Sequence, residues 1–252
     1  MLGTSASEEV QSGALNLERG LSSGQQSYDT DESLYPISEP REKLEGKWQA
    51  AGEIKYTGDS PIKPGELHAA FVLSNKANCD LVSIDAAVAM AMPGVVDFVN
   101  ADDIPGENRW KPWGNVVEEI FSSGKINYAG QPVGLVVAET REIAIEAARK
   151  VIIHTENEGE IVHDIEKALE TSGYVENGGD SLSYGDASGA ISGADHVVQG
   201  RFKMGSQYHF HMETQNCIVT PIEDGFDVEI ASQDINLAQH QIAHALDIDV
   251  SR

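Results

Sequence analysis

The 252-residue sequence predicts an α+β fold, built as one compact module at about 50–165 and a shorter section of different texture after about 190. Three observations predict it. Short apolar runs alternate with helix-like stretches. Strand–helix–strand patterning occurs twice, at 81–99 and 134–154. A Gly/Ser-rich acidic stretch then separates the two parts: 156–195 holds ten acidic residues and one lysine.

The elements follow in order. Residues 1–46 are rich in Ser, Gly and Glu without either structural period, and read as a flexible linker. His68–Ser74 and Leu81–Ile84 are strands. Asp85 stands where an N-cap would, ahead of an Ala/Met-rich helix over 86–92, which Pro93-Gly94 stops. Val95–Val99 is the next strand. A long loop over 100–123 carries Trp110 and Trp113. Gly134–Ala138 is a strand, Thr140 caps a helix over 141–150, and Val151–His154 returns as strand. A short helix is expected at 165–169 and a Gly/Ser linker over 171–193. Residues 216–221 and 226–230 flank a turn marked by Asp224-Gly225, and the second strand alternates Phe226, Val228 and Ile230 with acids. Ile235, Ala238, Ile242, Ala245 and Leu246 keep helical spacing, and the last residues resemble the start of another strand.

Charge excludes several functions. There are 41 acidic and 17 basic residues, a net charge of −24. Nucleic-acid binding requires the opposite sign, as does adsorption to an anionic membrane. No apolar run reaches the roughly 20 residues of a membrane helix, and no secretory or Arg-rich leader stands at the start. The expected setting is cytoplasmic. Two distant cysteines, Cys79 and Cys217, cannot supply a zinc ribbon or an iron–sulfur cluster.

The main chemical candidate is Gln207-Tyr-His-Phe-His-Met-Glu213. In an extended strand His209, His211 and Glu213 share one face, a possible metal set, and Tyr208, Phe210 and Met212 the other. The competing reading is an edge strand with solvated polar residues. His240 and His244 lack the glutamate of a zinc-protease helix. No phosphate-binding glycine loop and no Gly-x-Ser-x-Gly elbow occurs.

Several stretches taken in order resemble the molybdenum-cofactor portion of the xanthine dehydrogenase and aldehyde oxidase family, most nearly arthropod aldehyde oxidases. They are Ser33-Leu-Tyr-Pro-Ile, Ala51-Gly-Glu-Ile-Lys-Tyr-Thr-Gly-Asp and Pro64-Gly-Glu-Leu-His-Ala-Ala-Phe-Val-Leu-Ser. Met92-Pro-Gly-Val-Val, Ala101-Asp-Asp-Ile-Pro-Gly and Tyr128-Ala-Gly-Gln-Pro-Val-Gly-Leu-Val-Val-Ala follow. Gln207-Tyr-His-Phe-His-Met-Glu-Thr-Gln and Ser232-Gln complete the series.

The resemblance implies an α/β hammerhead domain at 47–165, an acidic Gly/Ser linker at 166–193 and a truncated start of an α+β molybdopterin-binding domain at 194–252. It implies oxidation of aldehydes or hydroxylation of N-heterocycles, with a water-derived oxygen inserted and a hydride passed to the molybdenum centre. Gln207 matches the glutamine that hydrogen-bonds an oxo ligand of molybdenum. His209, Phe210 and Glu213 match the supporting residues around it. The general base, the Phe-Gly-Gly-Lys segment, the 2Fe-2S clusters and the FAD domain belong to parts of the parent enzyme outside this stretch. The resemblance therefore implies a fragment that is inactive alone, a small-molecule substrate and a homodimeric parent. Two other classes compete: a truncated paralogue acting as an interaction module through Trp110 and Trp113, and a small metal-binding protein using His209, His211 and Glu213.

Overall fold

The structure, a computed structural model, describes residue 24 and residues 30–111, 117–171 and 183–252. The chain divides into two compact units, Met1–Ile54 and Lys55–Arg252. In the first, Asp31 caps a 3₁₀ turn, Glu32–Leu34, by accepting from the Ser33 N–H at 2.9 Å. Helix α1 (Gly46–Ala51) ends on Gly52, whose φ of 72° suits the left-handed cap. None of the described residues in this unit is buried.

The second unit opens with two three-stranded sheets. β1 (His68–Leu73), β5 (Pro132–Ala138) and β3 (Val95–Asn100) form one, in the order β1-β5-β3. β4 (Lys125–Ile126), β2 (Cys79–Asp85) and β6 (Ile152–Glu156) form the other, in the order β4-β2-β6. Every pairing is antiparallel. The two strand–helix–strand segments are therefore not parallel crossovers. They interlock crosswise: β2 of the first pairs with β6 of the second, and β3 of the first with β5 of the second.

The helices between them are short. α2 (Ala87–Met90) is shorter than the expected 86–92, because Asp85 still pairs with Ile152 at the end of β2. Its carboxylate nonetheless accepts from the Ala87 N–H at 2.9 Å. At the far end Pro93 disfavours helical backbone at Met92. α3 (Arg141–Ala148) is capped by Thr140, whose hydroxyl accepts from Ile143 N–H at 3.2 Å.

Alternation along β5 buries Gly134, Val136 and Ala138, Val133 is buried on the other face, and the spacing of α3 buries Ala144 and Ala147. Val133, Val136 and Ala147 join Val72, Cys79, Ala89, Ile126 and Val151 in one core. Fully burying each of its Val and Ile side chains stabilises the fold by about 1.5–3 kcal/mol before cavity effects. Gly134 is required by space: a Cβ there would stand 2.7 Å from the Phe98 ring and the Val99 carbonyl oxygen.

The region after the core differs more from expectation. α4 (Ile165–Thr171) forms where a short helix was expected. Within the Gly/Ser stretch, Ala187–Ser192 is helical as α5, because Asp186 accepts from Gly189 N–H at 2.8 Å. Gly178 and Gly179 lie outside the described residues. β7 (Cys217–Ile222) and β8 (Gly225–Ile230) form a two-stranded hairpin whose corner is Glu223-Asp224, one residue earlier than the Asp-Gly signal. α6 (Ile235–Leu246) is capped by Asp234, which accepts from Leu237 N–H at 2.9 Å. It ends on Asp247 at φ 53°. Residues 248–252 carry no strand.

Two backbone joints hold this section to the core module. Gly106 N–H donates to Ala245 C=O at 2.9 Å, and Glu107 N–H to His244 C=O at 3.0 Å. The last carbonyls of α6 thus receive donors from the 100–111 loop.

Candidate functional site

Gln207–Glu213 is an extended, exposed segment that joins no sheet, so the expected strand is absent here. Phe210 is the reason on the backbone: its φ of 52° is left-handed, outside the extended region for a bulky side chain. His209 and His211 stack, with ring centroids 5.2 Å apart and planes within 8°. Tyr208 and Phe210 meet edge-to-face at 6.5 Å.

The segment is tied down at both ends. Upstream, Arg201 pairs with Glu166 at 2.7 Å and Lys203 with Asp164 at 3.0 Å. The Lys203 hydrogen bond, with help from Glu166 N–H, holds the Asp164 carboxyl below its ordinary value. The same bond and the charge of Asp164 raise the Lys203 ammonium. Both are solvated, so they set position more than stability. Downstream, Glu213 accepts from Thr57 N–H at 2.9 Å and Met212 Sδ from the Tyr56 hydroxyl at 3.6 Å. Thr57 and Tyr56 stand in and beside a 3₁₀ turn, Thr57–Asp59, far away in sequence. Sequence reasoning missed this anchor, because nothing in Tyr-Thr-Gly-Asp signals a partner 156 residues on.

The candidate residues separate into roles. Among the described residues the Gln207 side chain has no hydrogen-bond partner, which leaves a neutral, exposed amide with two donors available. Glu213 is committed to Thr57. No group of three or more His, Cys, Asp or Glu among the described residues is placed to hold a metal ion; His209, His211 and Glu213 do not converge. His240 and His244 lie on α6, where the His244 carbonyl is used by the loop. Trp110 is bridged to Glu118, while Trp113 lies outside the described residues. A cleft of about 660 Å³ between β8 and α6 was not foreseen; Phe226, Val228, Ile230 and Ile242 line it.

Residues 51–158 match the aldehyde oxidase and xanthine dehydrogenase a/b hammerhead domain. Residues 168–252 match the molybdopterin cofactor-binding domain. The chain belongs to the xanthine dehydrogenase and aldehyde oxidase family. It is 34% identical over 230 residues to xanthine dehydrogenase of Emericella nidulans, covering 89% of this chain and 17% of that enzyme. It is 33% identical over 240 residues to aldehyde oxidase 2 of Rattus norvegicus, covering 92% of this chain and 17% of that one. The chain thus spans about one sixth of the length of these relatives. Among solved structures, quinoline 2-oxidoreductase from Pseudomonas putida 86 superposes with a TM-score of 0.66 at 24% identity, over 82% of this chain and 28% of that one. The aldehyde oxidoreductase of Desulfovibrio gigas does so with a TM-score of 0.65 at 22% identity, over 82% and 25%. Both likenesses concern the fold. Among the described residues no helix is long and apolar enough to cross a membrane.

Proposed function

We propose that this chain is the hammerhead and opening molybdopterin-binding portion of a molybdenum hydroxylase that oxidises aldehydes or hydroxylates N-heterocycles. On this reading 47–165 is the hammerhead domain, 166–193 the connection and 194–252 the start of the cofactor domain. The parent enzyme is a cytoplasmic homodimer that also carries 2Fe-2S clusters and FAD, acting on a small molecule.

The observation that carries the reading is the Gln207 amide, unspent and exposed on a segment pinned at both ends. Its donor set fits the cofactor: a neutral amide can orient an oxo ligand without adding charge. When bound, the molybdenum–pterin group supplies the oxygen nucleophile and accepts the electron pair. Gln207 supplies the orienting hydrogen bond. Glu213 keeps the segment against Thr57, and His209 and Phe210 shape the approach to Gln207. On this reading the general base is supplied by another part of the parent enzyme, and the isolated chain is expected not to turn over.

The test replaces the matching stretch of the Emericella nidulans enzyme with this one. The chimera is expected to retain molybdenum and activity, and Gln207→Ala to lower kcat while molybdenum content stays level. A molybdenum-loaded Gln207→Ala chimera with unchanged kcat overturns the role of Gln207. Aldehyde oxidation by the isolated 252-residue chain overturns the partial-site reading.

A further inference from the structure

The stretch that carries Gln207 is exposed along its whole length but for one residue. From 183 to 217, Glu213 is the single residue that is not exposed. Its carboxylate accepts from Thr57 N–H at 2.9 Å. The turn makes that donor available. Asp59 accepts from Tyr56 N–H at 3.0 Å, Asp59 N–H donates to Tyr56 C=O at 2.9 Å and Ser60 N–H to Thr57 C=O at 3.2 Å. Those bonds close Thr57–Asp59 and leave the Thr57 N–H, first in the turn, to an acceptor from outside it. Gly58 lets the turn lie against the chain entering β7: a Cβ there would stand 2.6 Å from Asn216 Nδ2. Lys63 Nζ donates to Thr220 Oγ1 at 3.0 Å, so the residues after the turn also grip β7.

The two ends of the segment are not held equally. Upstream, Arg201 and Lys203 make ion pairs between solvated side chains, which are weak in water and require two long side chains to be fixed. Downstream, a half-buried carboxylate meets a backbone donor, a charge-assisted bond in which no long cationic side chain is immobilised. Releasing Glu213 leaves downstream only the Tyr56–Met212 sulfur contact, and then the hairpin from Asn216 on. We propose, on the reading of Gln207 as the orienting amide, that Thr57 and Asp59 are positioning residues for it: their turn holds Glu213, and through Glu213 fixes where the Gln207 amide stands. Both act through Glu213, not by contact with substrate or cofactor.

Thr57→Pro is the most selective perturbation. Proline suits the first position of a helical turn and an extended residue before it, and Tyr56 is extended at φ −113° and ψ 171°. The substitution deletes one N–H and keeps the turn. The first readout is the backbone order parameter of Gln207 in the 252-residue chain, from NMR relaxation. It is expected to drop below about 0.6, the flexible range, in Thr57→Pro and in Glu213→Ala. It is expected to hold its original value in Thr57→Ala, which keeps the N–H, and in Glu213→Gln, which keeps an acceptor oxygen. Glu213→Ala leaves the turn itself untouched, so this arm stands even where Thr57→Pro fails to fold. An order parameter already in the flexible range in the unaltered chain, or unchanged by both variants, overturns the proposal. The second readout is kinetic, in the Emericella nidulans chimera. Thr57→Pro is expected to lower kcat about tenfold with KM and molybdenum content level, and to cost nothing further once Gln207 is replaced by Ala. Losses that multiply in the double variant overturn the positioning role in favour of general destabilisation. Unchanged kcat in Gln207→Ala alone removes the reading of Gln207, whereas the order parameters still decide whether the turn holds the segment.

Discussion

Gly106 offers the sharpest mutational test of how the two sections of the Lys55–Arg252 unit are joined. A Cβ built on Gly106 would stand 2.0 Å from the His244 carbonyl oxygen, 3.0 Å from Asp247 N and 3.1 Å from Ala245 O. All three are backbone atoms, so no rotamer can yield. Gly106→Ala must push the loop off the end of α6 by more than 1 Å to reach ordinary contact of about 3.5 Å. That shift breaks the Gly106–Ala245 and Glu107–His244 hydrogen bonds at 2.9 and 3.0 Å. Two bonds at about 0.5–1.5 kcal/mol each amount to about 1–3 kcal/mol. At 2 kcal/mol, a unit of this size loses about 4–8 °C in Tm. Calorimetry reads the loss, and hydrogen exchange is expected to rise at the C-terminal turn of α6. Gly124→Ala is the control, since a Cβ there meets nothing within 4 Å. Gly106→Ala matching Gly124→Ala in Tm refutes the reasoning.

Three further outcomes are expected. Ile126, fully buried between the sheets' side chains, is expected to cost about 2–5 kcal/mol on replacement by Ala, read by urea unfolding. The Asp164–Lys203 pair contributes only above the acid range of an ordinary Asp and below the alkaline range of an ordinary Lys. It is lost as pH falls through the depressed Asp164 pKa and as pH rises through the raised Lys203 pKa; NMR titration is expected to return Asp164 toward its ordinary midpoint in Lys203→Met. Thiol labelling of the native chain is expected to modify Cys217, which is exposed, and to spare Cys79 until unfolding. Partial desolvation of the Cys217 thiol, on a residue that is exposed as a whole, pushes it above its ordinary pKa, so its labelling rate is expected to keep climbing past pH 9.

Local signals made much of the fold legible. Thr140 announced its helix because an N-cap acts within three residues, whereas α6 was announced by the spacing of Ile235, Ala238 and Ile242 and its Asp234 cap came from the structure. Alternation at 226–230 announced β8 because one face is covered. The crosswise pairing was not legible: nothing in Leu81–Ile84 or Ile152–His154 states which strand is whose neighbour, since register depends on packing across the core. Phe210 was not legible either, because a left-handed bulky residue contradicts its own propensity. The Gln207 segment was found by motif order, and its attachment to Thr57 only by the fold. The cleft at β8 was hidden because Val228 and Ile242 look the same in a finished core and in an open one.

The interlocked sheets set a timetable for synthesis. Ile84 must wait for Ile153, 69 positions later, and Ala70 for Val136. At about 5–20 residues per second, that wait lasts about 3–14 s on the ribosome. For most of it β1 has no ladder partner and β2 gains only the two residues of β4, so Val72 and Cys79, core residues once folded, lack most of their cover. Neither half can rest in a stable intermediate sheet of its own. The module is therefore committed late and all at once, and its hazard is aggregation of the nascent chain before β5 and β6 emerge.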